Sequence, residues 1–431
     1  MLRVPSYLAA LSLGGLLVLT GLPFGPSLAQ TPSTVAVTGA RLIDGTGRAP
    51  LEQATLIISD GRIQTIGVPA TVQIPVGMVS VDLSGKTIIP GLINAHAHLD
   101  NGNDALPLRD QLLTQLRLYA NYGVTTVHTL GDDGRESVNI RDEQESGTLD
   151  RARLYVSGPN VVARTADEAR QNVDRAAEMR VNIIKTRLSG NTNDMPPEVY
   201  RALIDRAHQR KLRVAAHLYY LDDAKALLDA GVDVIAHSVR DQDVDAELIS
   251  ELRRLDVGYI PTLTRDLSVF AYETTPTFFN DPFFLRGVAA YKEQMDLLKD
   301  PDLQKQTRRS EEAQTIKQAL AQAQRNLKIL ADGGVTIAMG TDSGTQLGRW
   351  QGYFEHVELE LMVEAGLTPL QALVAATGDA ARIMNLDTLG TLEPGKWADL
   401  VVLNENPLEN ITHTQQIDAV WIAGRPLADS H

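Results

Sequence analysis

The run Ile88-Ile89-Pro90-Gly91-Leu92-Ile93-Asn94-Ala95-His96-Ala97-His98-Leu99-Asp100 constrains this chain more than any other stretch. It reads as an apolar strand that ends in two histidines one residue apart. Alternate residues of a strand face the same side, so His96 and His98 project together. Two imidazoles held side by side make half of a metal site. A pair of ordinary histidines at a strand end has the same spelling, so the decision rests on what surrounds them.

Before that run the chain opens with Arg3, an apolar stretch from Tyr7 to Leu22, and the small residues of Ser27-Leu28-Ala29. This is the grammar of a signal peptide cleaved after Ala29; Gly14, Gly15 and Gly21 and the shortness of the run speak against a retained anchor. Cleavage removes one Arg and no acid, so the formal charge of -14 becomes -15. So acidic a protein has no field for nucleic acid or for anionic lipid. There is no cysteine, which excludes a disulfide scaffold, a thiolate metal site and a cysteine nucleophile. The expectation is an exported protein, periplasmic or secreted, free of the membrane after processing, with a small-molecule substrate and room for a homo-oligomer.

From Thr34 to Leu83 short strands alternate with turns, Ser59-Asp60-Gly61-Arg62 among them. The carboxyl-terminal tail returns to this pattern in Ala398–Leu403 and Asp418–Gly424. Neither end has enough strands for a sheet of its own, so 30–86 plus 387–431 are expected to form one small β domain, a β-sandwich built from both chain ends. Between them, over 87–386, strand and helix alternate, which argues for a parallel sheet. The expected strands are Thr87–Ala95, Val124–Leu130, Arg153–Ser157, Asn182–Thr186, Arg213–Ala216, Val234–Ala236, Gly258–Pro261 and Thr336–Gly340. Leu108–Tyr122, Pro197–Arg210, Leu221–Ala230 and Val244–Leu255 are among the expected helices. Eight such units fit a (β/α)8 barrel of the TIM type, whose active-site groups sit at the carboxyl ends of the strands. Asp281–Asp332 reads as charged and helical, with a loop that could cover substrate.

Four more polar residues close expected strands: Lys185, His217, His237 and Asp342. Each has an ordinary reading. Lys185 could pair with Asp342 or snorkel to water, the histidines could be satisfied core residues, and Asp342 could be a turn former. Six such residues, all at strand ends, are a poor fit to six accidents.

The sequence also resembles the amidohydrolase superfamily, in its imidazolonepropionase-like, prolidase-like branch of binuclear hydrolases. The marks are Pro90-Gly91-Leu92-Ile93-Asn94-Ala95-His96-Ala97-His98, Gly123-Val124-Thr125-Thr126-Val127, Lys185, His217, His237, Gly340-Thr341-Asp342, and the tail Thr391-Leu392-Glu393-Pro394-Gly395-Lys396-Trp397-Ala398-Asp399-Leu400-Val401-Val402-Leu403. The resemblance implies two divalent metal ions, zinc by default. His96, His98 and Asp342 would bind one and His217 and His237 the other, with Lys185 as a carboxylated, bridging ligand. It further implies a metal-bridging hydroxide and Asp342 as the catalytic base that becomes the acid. The reaction expected is cleavage of a C–N, amide-type bond in a dipeptide or N-acyl amino acid. An ester or lactone hydrolase, or an inactive ligand-binding homologue, would share the scaffold. His217 is followed by Leu218-Tyr219-Tyr220, without the glutamate of deaminase-like members, and Lys185 is foreign to a mononuclear deaminase. Tyr219, Tyr220, Arg187, Arg240 and His128 are the candidates for substrate binding. Core or salt-bridge roles stay open for each of them.

Overall fold

Gly91 divides the apolar run into two strands that belong to different sheets. The computed structural model describes residues 34–99, 106–190 and 194–428; the expected signal peptide lies outside them. In chain order the first strands are β1 (Thr34–Leu42), β2 (Leu51–Ser59), β3 (Arg62–Gly67), β4 (Val79–Asp82) and β5 (Thr87–Pro90). The parallel strands follow: β6 (Leu92–Ala97), β7 (Val124–Thr129), β8 (Arg153–Tyr155), β9 (Ile184–Arg187), β10 (Val214–His217), β11 (Val234–Ala236) and β12 (Gly258–Ile260). The tail adds β13 (Leu400–Leu403), β14 (Ile417–Ile422) and β15 (Arg425–Pro426).

One mixed sheet runs β15-β14-β13-β5-β1-β2-β3, with β4 beside β1. Both chain ends contribute to it, and β5 lies antiparallel to β13, with Pro90 opposite Leu400. Two expectations are corrected here. The end strands form one eight-stranded sheet rather than an assigned pair of facing sheets. Thr87–Pro90, read as the start of the first barrel strand, pairs in this sheet instead. The cause is local: the Gly91 N–H donates to Asp399 O at 2.9 Å, and a Cβ on Gly91 would lie 2.0 Å from Thr125 Oγ1. The chain changes sheets where only glycine fits. The mixed sheet buries Val37, Leu56, Ile58, Ile88, Leu400, Val402 and Trp421 together. It is tied to β8 by a fully buried ion pair, Arg153 Nε to Asp399 Oδ2 at 2.6 Å.

The parallel strands form a three-stranded sheet, β6-β7-β8, and a four-stranded one, β9-β10-β11-β12. Between them Asn182 N–H donates to Val156 O at 2.7 Å. The expected eighth strand, Thr336–Gly340, appears only as isolated parallel bridges, Tyr259 to Ile337 and, further on, Ala97 to Ser343. Two features interrupt it. Gly340 passes so close to β6 that a Cβ there would be 2.8 Å from His96 Cβ, and Asp342 turns the backbone with φ of 58°. The fold is thus α/β with parallel strands.

The connecting helices fall close to their expected ranges: Leu108–Asn121, Pro197–Gln209, Leu221–Asp229 and Ala246–Arg254. Asp245 caps the last of these by accepting the Leu248 N–H at 2.9 Å, a common device at helix starts. The loop expected within Asp281–Asp332 is replaced by helices Val288–Leu298, Pro301–Arg309 and Glu311–Asp332. Asp300 and Ser310 cap the second and third, and Pro301 stands in the first turn of the second, so the charged segment is helical almost throughout. No helix of the described residues is long and apolar enough to cross a membrane.

Candidate metal centre

Strand alternation carries His96 out of β6, and Lys185 two residues into β9 meets it. Lys185 Nζ is 3.3 Å from His96 Nε2, and both side chains are buried. Asp342 joins them from the turn after Gly340: its Oδ1 lies 2.8 Å from His98 Nε2 and 3.2 Å from His96 Nε2. His237, just past β11, brings its ring to 4.5 Å from that of His96, and His217 closes β10 with its ring 4.3 Å from His237. The ligand atoms of His96, His237 and Asp342 all lie within 4.8 Å of one another. Residues separated by up to 246 positions therefore share one buried pocket of nitrogen and oxygen donors.

The backbone there is strained. His237 and Asp342 adopt φ of 116° and 58°, and Thr262, whose Oγ1 is 2.7 Å from His237 Nδ1, has φ of 51°. Left-handed non-glycine residues cost about 1–3 kcal/mol each and gather at functional sites. Thr262 occupies Nδ1 of His237 and leaves Nε2 for a ligand, the usual way a second partner orients a metal-binding ring.

Electrostatics select the unprotonated forms. Burial, then the charge of Lys185, lowers His96 to about 3. Burial with the charges of Lys185 and Arg265 lowers His217 to about 2. Burial, with His217 and His96 alongside, takes His237 well below its ordinary value. Burial lowers Lys185 to about 7 against the pull of Asp342. Burial alone would raise Asp342, but hydrogen bonds from His96 and His98 hold it well below the carboxylate range. Neutral imidazoles, an ionised carboxylate and an amine ready to lose its proton are the forms that bind cations.

Two orphaned groups fit a centre completed by metal. His96 Nδ1 is buried without a hydrogen-bond partner among the described residues. Lys185 has no carboxylate within ion-pair distance among them either. Asp342, its expected alternative partner, is held by His96, His98 and Arg349 instead. A buried lysine with no anion is costly unless it is neutral or modified.

The substrate-binding candidates scatter. Arg187, exposed at the end of β9, lines a separate cavity with Arg164, Glu168 and Asp194. Arg240 is buried, with Nε 3.1 Å from Asp266 Oδ2 and its guanidinium 4.6 Å above the Tyr219 ring. Tyr220 is exposed and packs on Gly190, where a Cβ would come within 2.0 Å of its ring. His128 is buried, donates from Nδ1 to Thr129 O at 3.0 Å, stacks on Tyr155 at 6.0 Å, and leaves Nε2 unpartnered among the described residues.

Three contributors carry no local sequence signal. Arg349, in a polar loop seven residues after Asp342, reaches back to its Oδ2. Glu355, at a helix start, accepts from Thr341 Oγ1 at 2.9 Å and Ser343 Oγ at 2.8 Å, and also from Asn94 Nδ2. It thereby clamps both neighbours of Asp342. Thr262 is visible only once β12 lies beside β11.

Parallel strands that present histidines, lysine and aspartate at their carboxyl ends define a class of α/β enzymes whose chemistry sits at strand ends. The chain belongs to the amidohydrolase family, whose model matches residues 87–427. It is a hydrolase of carbon–nitrogen bonds, in a family that typically binds metal ions and acts on small molecules. The structure is similar to that of a protein from Bifidobacterium longum provisionally assigned as a prolidase: 30% identity, 91% of this chain and 94% of that one, TM-score 0.75. It also matches a Xaa-Pro dipeptidase with methionine bound in its active site, at 21% identity over 91% and 99% of the two chains and TM-score 0.72, a likeness of fold alone. By sequence it is 26% identical to ochratoxinase of Aspergillus niger over 89% of this chain and 84% of that protein.

Proposed function

We propose that the chain is a metal-dependent amide hydrolase of small substrates, with a dipeptide or N-acyl amino acid as the substrate type. The observation that carries this reading is the buried convergence of His96, His237 and Asp342 beside Lys185, an amine with no carboxylate partner among the described residues. His96, His98 and Asp342 would hold one divalent ion, zinc by default, and His217 and His237 a second. Lys185, carboxylated on Nζ, would reach both. Bound there, such ions polarise an amide carbonyl and make water a better nucleophile.

The chain's own groups do the rest. Asp342, ionised at rest, takes a proton from the attacking water and returns it to the leaving nitrogen. Arg349 and Glu355 keep its carboxylate aimed, and Thr262 fixes the His237 ring. Tyr220, exposed three residues past His217, would offer its phenol to substrate.

Two coarser features belong to the same reading. The parallel segments, with Thr336–Gly340 as an eighth, are read as one (β/α)8 barrel on the strength of the bridges at Val156–Asn182, Tyr259–Ile337 and Ala97–Ser343. The 30–86, 387–431 and 87–386 division and the export of the chain to the periplasm or beyond are read from sequence pattern.

The test pairs elemental analysis of metal with hydrolysis of a panel of dipeptides and N-acyl amino acids. The parent should hold up to two divalent ions per chain, lose activity to a chelator and regain it with zinc. Asp342→Asn should keep most of the metal while kcat falls by about 10²–10⁴-fold. Equal turnover by Asp342→Asn sinks the proton-transfer role, and a fully metallated parent that cleaves no amide sinks the reading as a whole.

A further inference from the structure

Thr262 opens a helix without capping it. The helix Leu263–Phe270 starts on Thr262, whose backbone is left-handed (φ 51°, ψ 52°) and whose side chain accepts none of that helix's own N–H groups. A threonine in this position ordinarily has an extended backbone, with its hydroxyl on the N–H two or three residues further on. Thr165 and Thr368 do so elsewhere in the chain, accepting from Glu168 and Gln371. The Thr262 hydroxyl lies instead 2.7 Å from His237 Nδ1.

The N–H groups at that helix start are taken by a residue remote in sequence. Glu358, in the helix Tyr353–Glu364, accepts the Leu263 N–H on Oε1 at 2.8 Å and the Thr264 N–H on Oε2 at 2.7 Å. The Thr264 hydroxyl also donates to Oε2, at 2.7 Å. Glu358, Thr262 and Thr264 are all buried, so an N–H left open there would have no bulk water to turn to. A carboxylate at a helix start also meets the favourable end of the helix dipole. Both oxygens of Glu358 are spent on the cap that Thr262 does not make. One helix turn earlier on the same face, Glu355 grips Asn94, Thr341 and Ser343, next to His96 and Asp342. A single helix thus braces the surroundings of both halves of the centre.

We propose that Glu358 is a positioning residue for His237. By capping the helix in place of Thr262, it frees the Thr262 hydroxyl to accept from His237 Nδ1–H and so keeps the Nε2 lone pair turned to metal. Without that carboxylate, the Thr262 hydroxyl is the local acceptor for the Thr264 and Arg265 N–H groups, and drawing it back releases the ring. This rests on the reading of His237 as a metal ligand.

The experiment uses the full chain labelled with nitrogen-15 histidine, whose nine rings report their tautomers by NMR. The metal-free parent should show an exchange-protected Nδ1–H that disappears in His237→Gln. Glu358→Gln and Thr262→Val should each abolish it, and Thr262→Ser should keep it. Asp245→Ala, which removes the cap of a neighbouring helix, should leave it in place, separating a lost cap in general from this one. In zinc titrations Glu358→Gln should weaken one of two ions by about 10–100-fold and leave the other as in the parent. A signal absent from the parent, or one that survives Glu358→Gln, overturns the proposal, as does equal weakening of both ions. If Glu358→Gln does not fold, Glu358→Asp, one methylene short of the two N–H groups, is read by the same signal. If the parent binds no zinc, the metal reading fails, and the ring signal alone decides whether Glu358 positions His237.

Discussion

Lys185 shows how one buried position decides what a residue can be. With Nζ against His96 Nε2 and no carboxylate within ion-pair distance among the described residues, an ammonium would sit poorly balanced in a pocket of bases, with only the longer pull of Asp342 to offset it. Burial lowers it to about 7, which leaves a free amine in quantity at neutral pH and gives carbon dioxide something to react with. Lys185→Ala should therefore weaken metal binding by at least about 100-fold, since even an indirect partner of a ligand is worth 10–100-fold. Acetate or formate should return part of the activity by standing in for the missing carboxylate. Metal titration with and without added acetate checks both halves. An alanine variant that binds metal as tightly as the parent would remove Lys185 from the centre. Arg240 shows the opposite outcome. Its sequence position beyond His237 suggested a substrate-facing cation, and the structure gives it to Asp266 and the face of Tyr219.

At the scale of elements, the passage through Gly91 does most to set the site. The chain leaves the mixed sheet at Pro90 and enters the parallel one at Leu92, and the Thr125 side chain fills the space a Cβ would need. His96 and His98 are placed by where β6 begins, so a shift at Gly91 travels straight to them. Gly91→Ala should destabilise the protein by about 1–3 kcal/mol, the usual cost of overpacking. Thr125→Ala in the same chain should recover part of the loss. Urea denaturation of the two single variants and the double variant measures this as a coupling. Parent-like stability in Gly91→Ala would mean that the junction is looser than its contacts indicate.

At the scale of the whole molecule, distant elements are joined through a few buried polar side chains. His356 is one. Its Nε2 donates to Tyr122 O at 2.7 Å, its Nδ1 lies 3.0 Å from Thr414 Oγ1, and Phe283 meets its ring edge-on at 4.8 Å. Burial lowers its pKa from 6.5 to about 4. The unfolded chain then takes up a proton at higher pH than the folded one. The stability linked to His356 is complete above pH 6.5 and declines as pH falls towards 4, by roughly 3 kcal/mol in all. His356→Gln keeps an N–H donor for Tyr122 O without the titration. Its stability should fall less steeply than the parent's between pH 6.5 and pH 4 in denaturant midpoints. A parent-minus-variant difference that stays constant over that window would assign the acid sensitivity elsewhere.

Much of the site was legible in the order of residues, because its grammar is local. His96 and His98 share a face by the two-residue period of a strand, and Lys185, His217, His237 and Asp342 each end an apolar run. In a closed barrel the ends of such runs meet at one mouth, and the expected convergence was drawn from that arrangement. The matching strands at both ends likewise announced a shared sheet. What escaped the sequence depends on contacts between remote segments. Glu355 reaches Asn94 across 261 positions, Arg349 turns back on Asp342 from a loop with no periodicity, and Thr262 meets His237 only because β12 lies beside β11. The sheet of the chain ends was read as a sandwich because alternation shows that a strand has an apolar face but not what that face meets. The transfer of Thr87–Pro90 to the mixed sheet was hidden for the same reason, since β13, its partner, lies some three hundred residues away. Sequence pattern fixed which side chains stand at strand ends, through backbone geometry that each residue obeys with its neighbours. Tertiary packing alone decided which of them face one another and which cations keep a partner, as Arg240 does at Asp266.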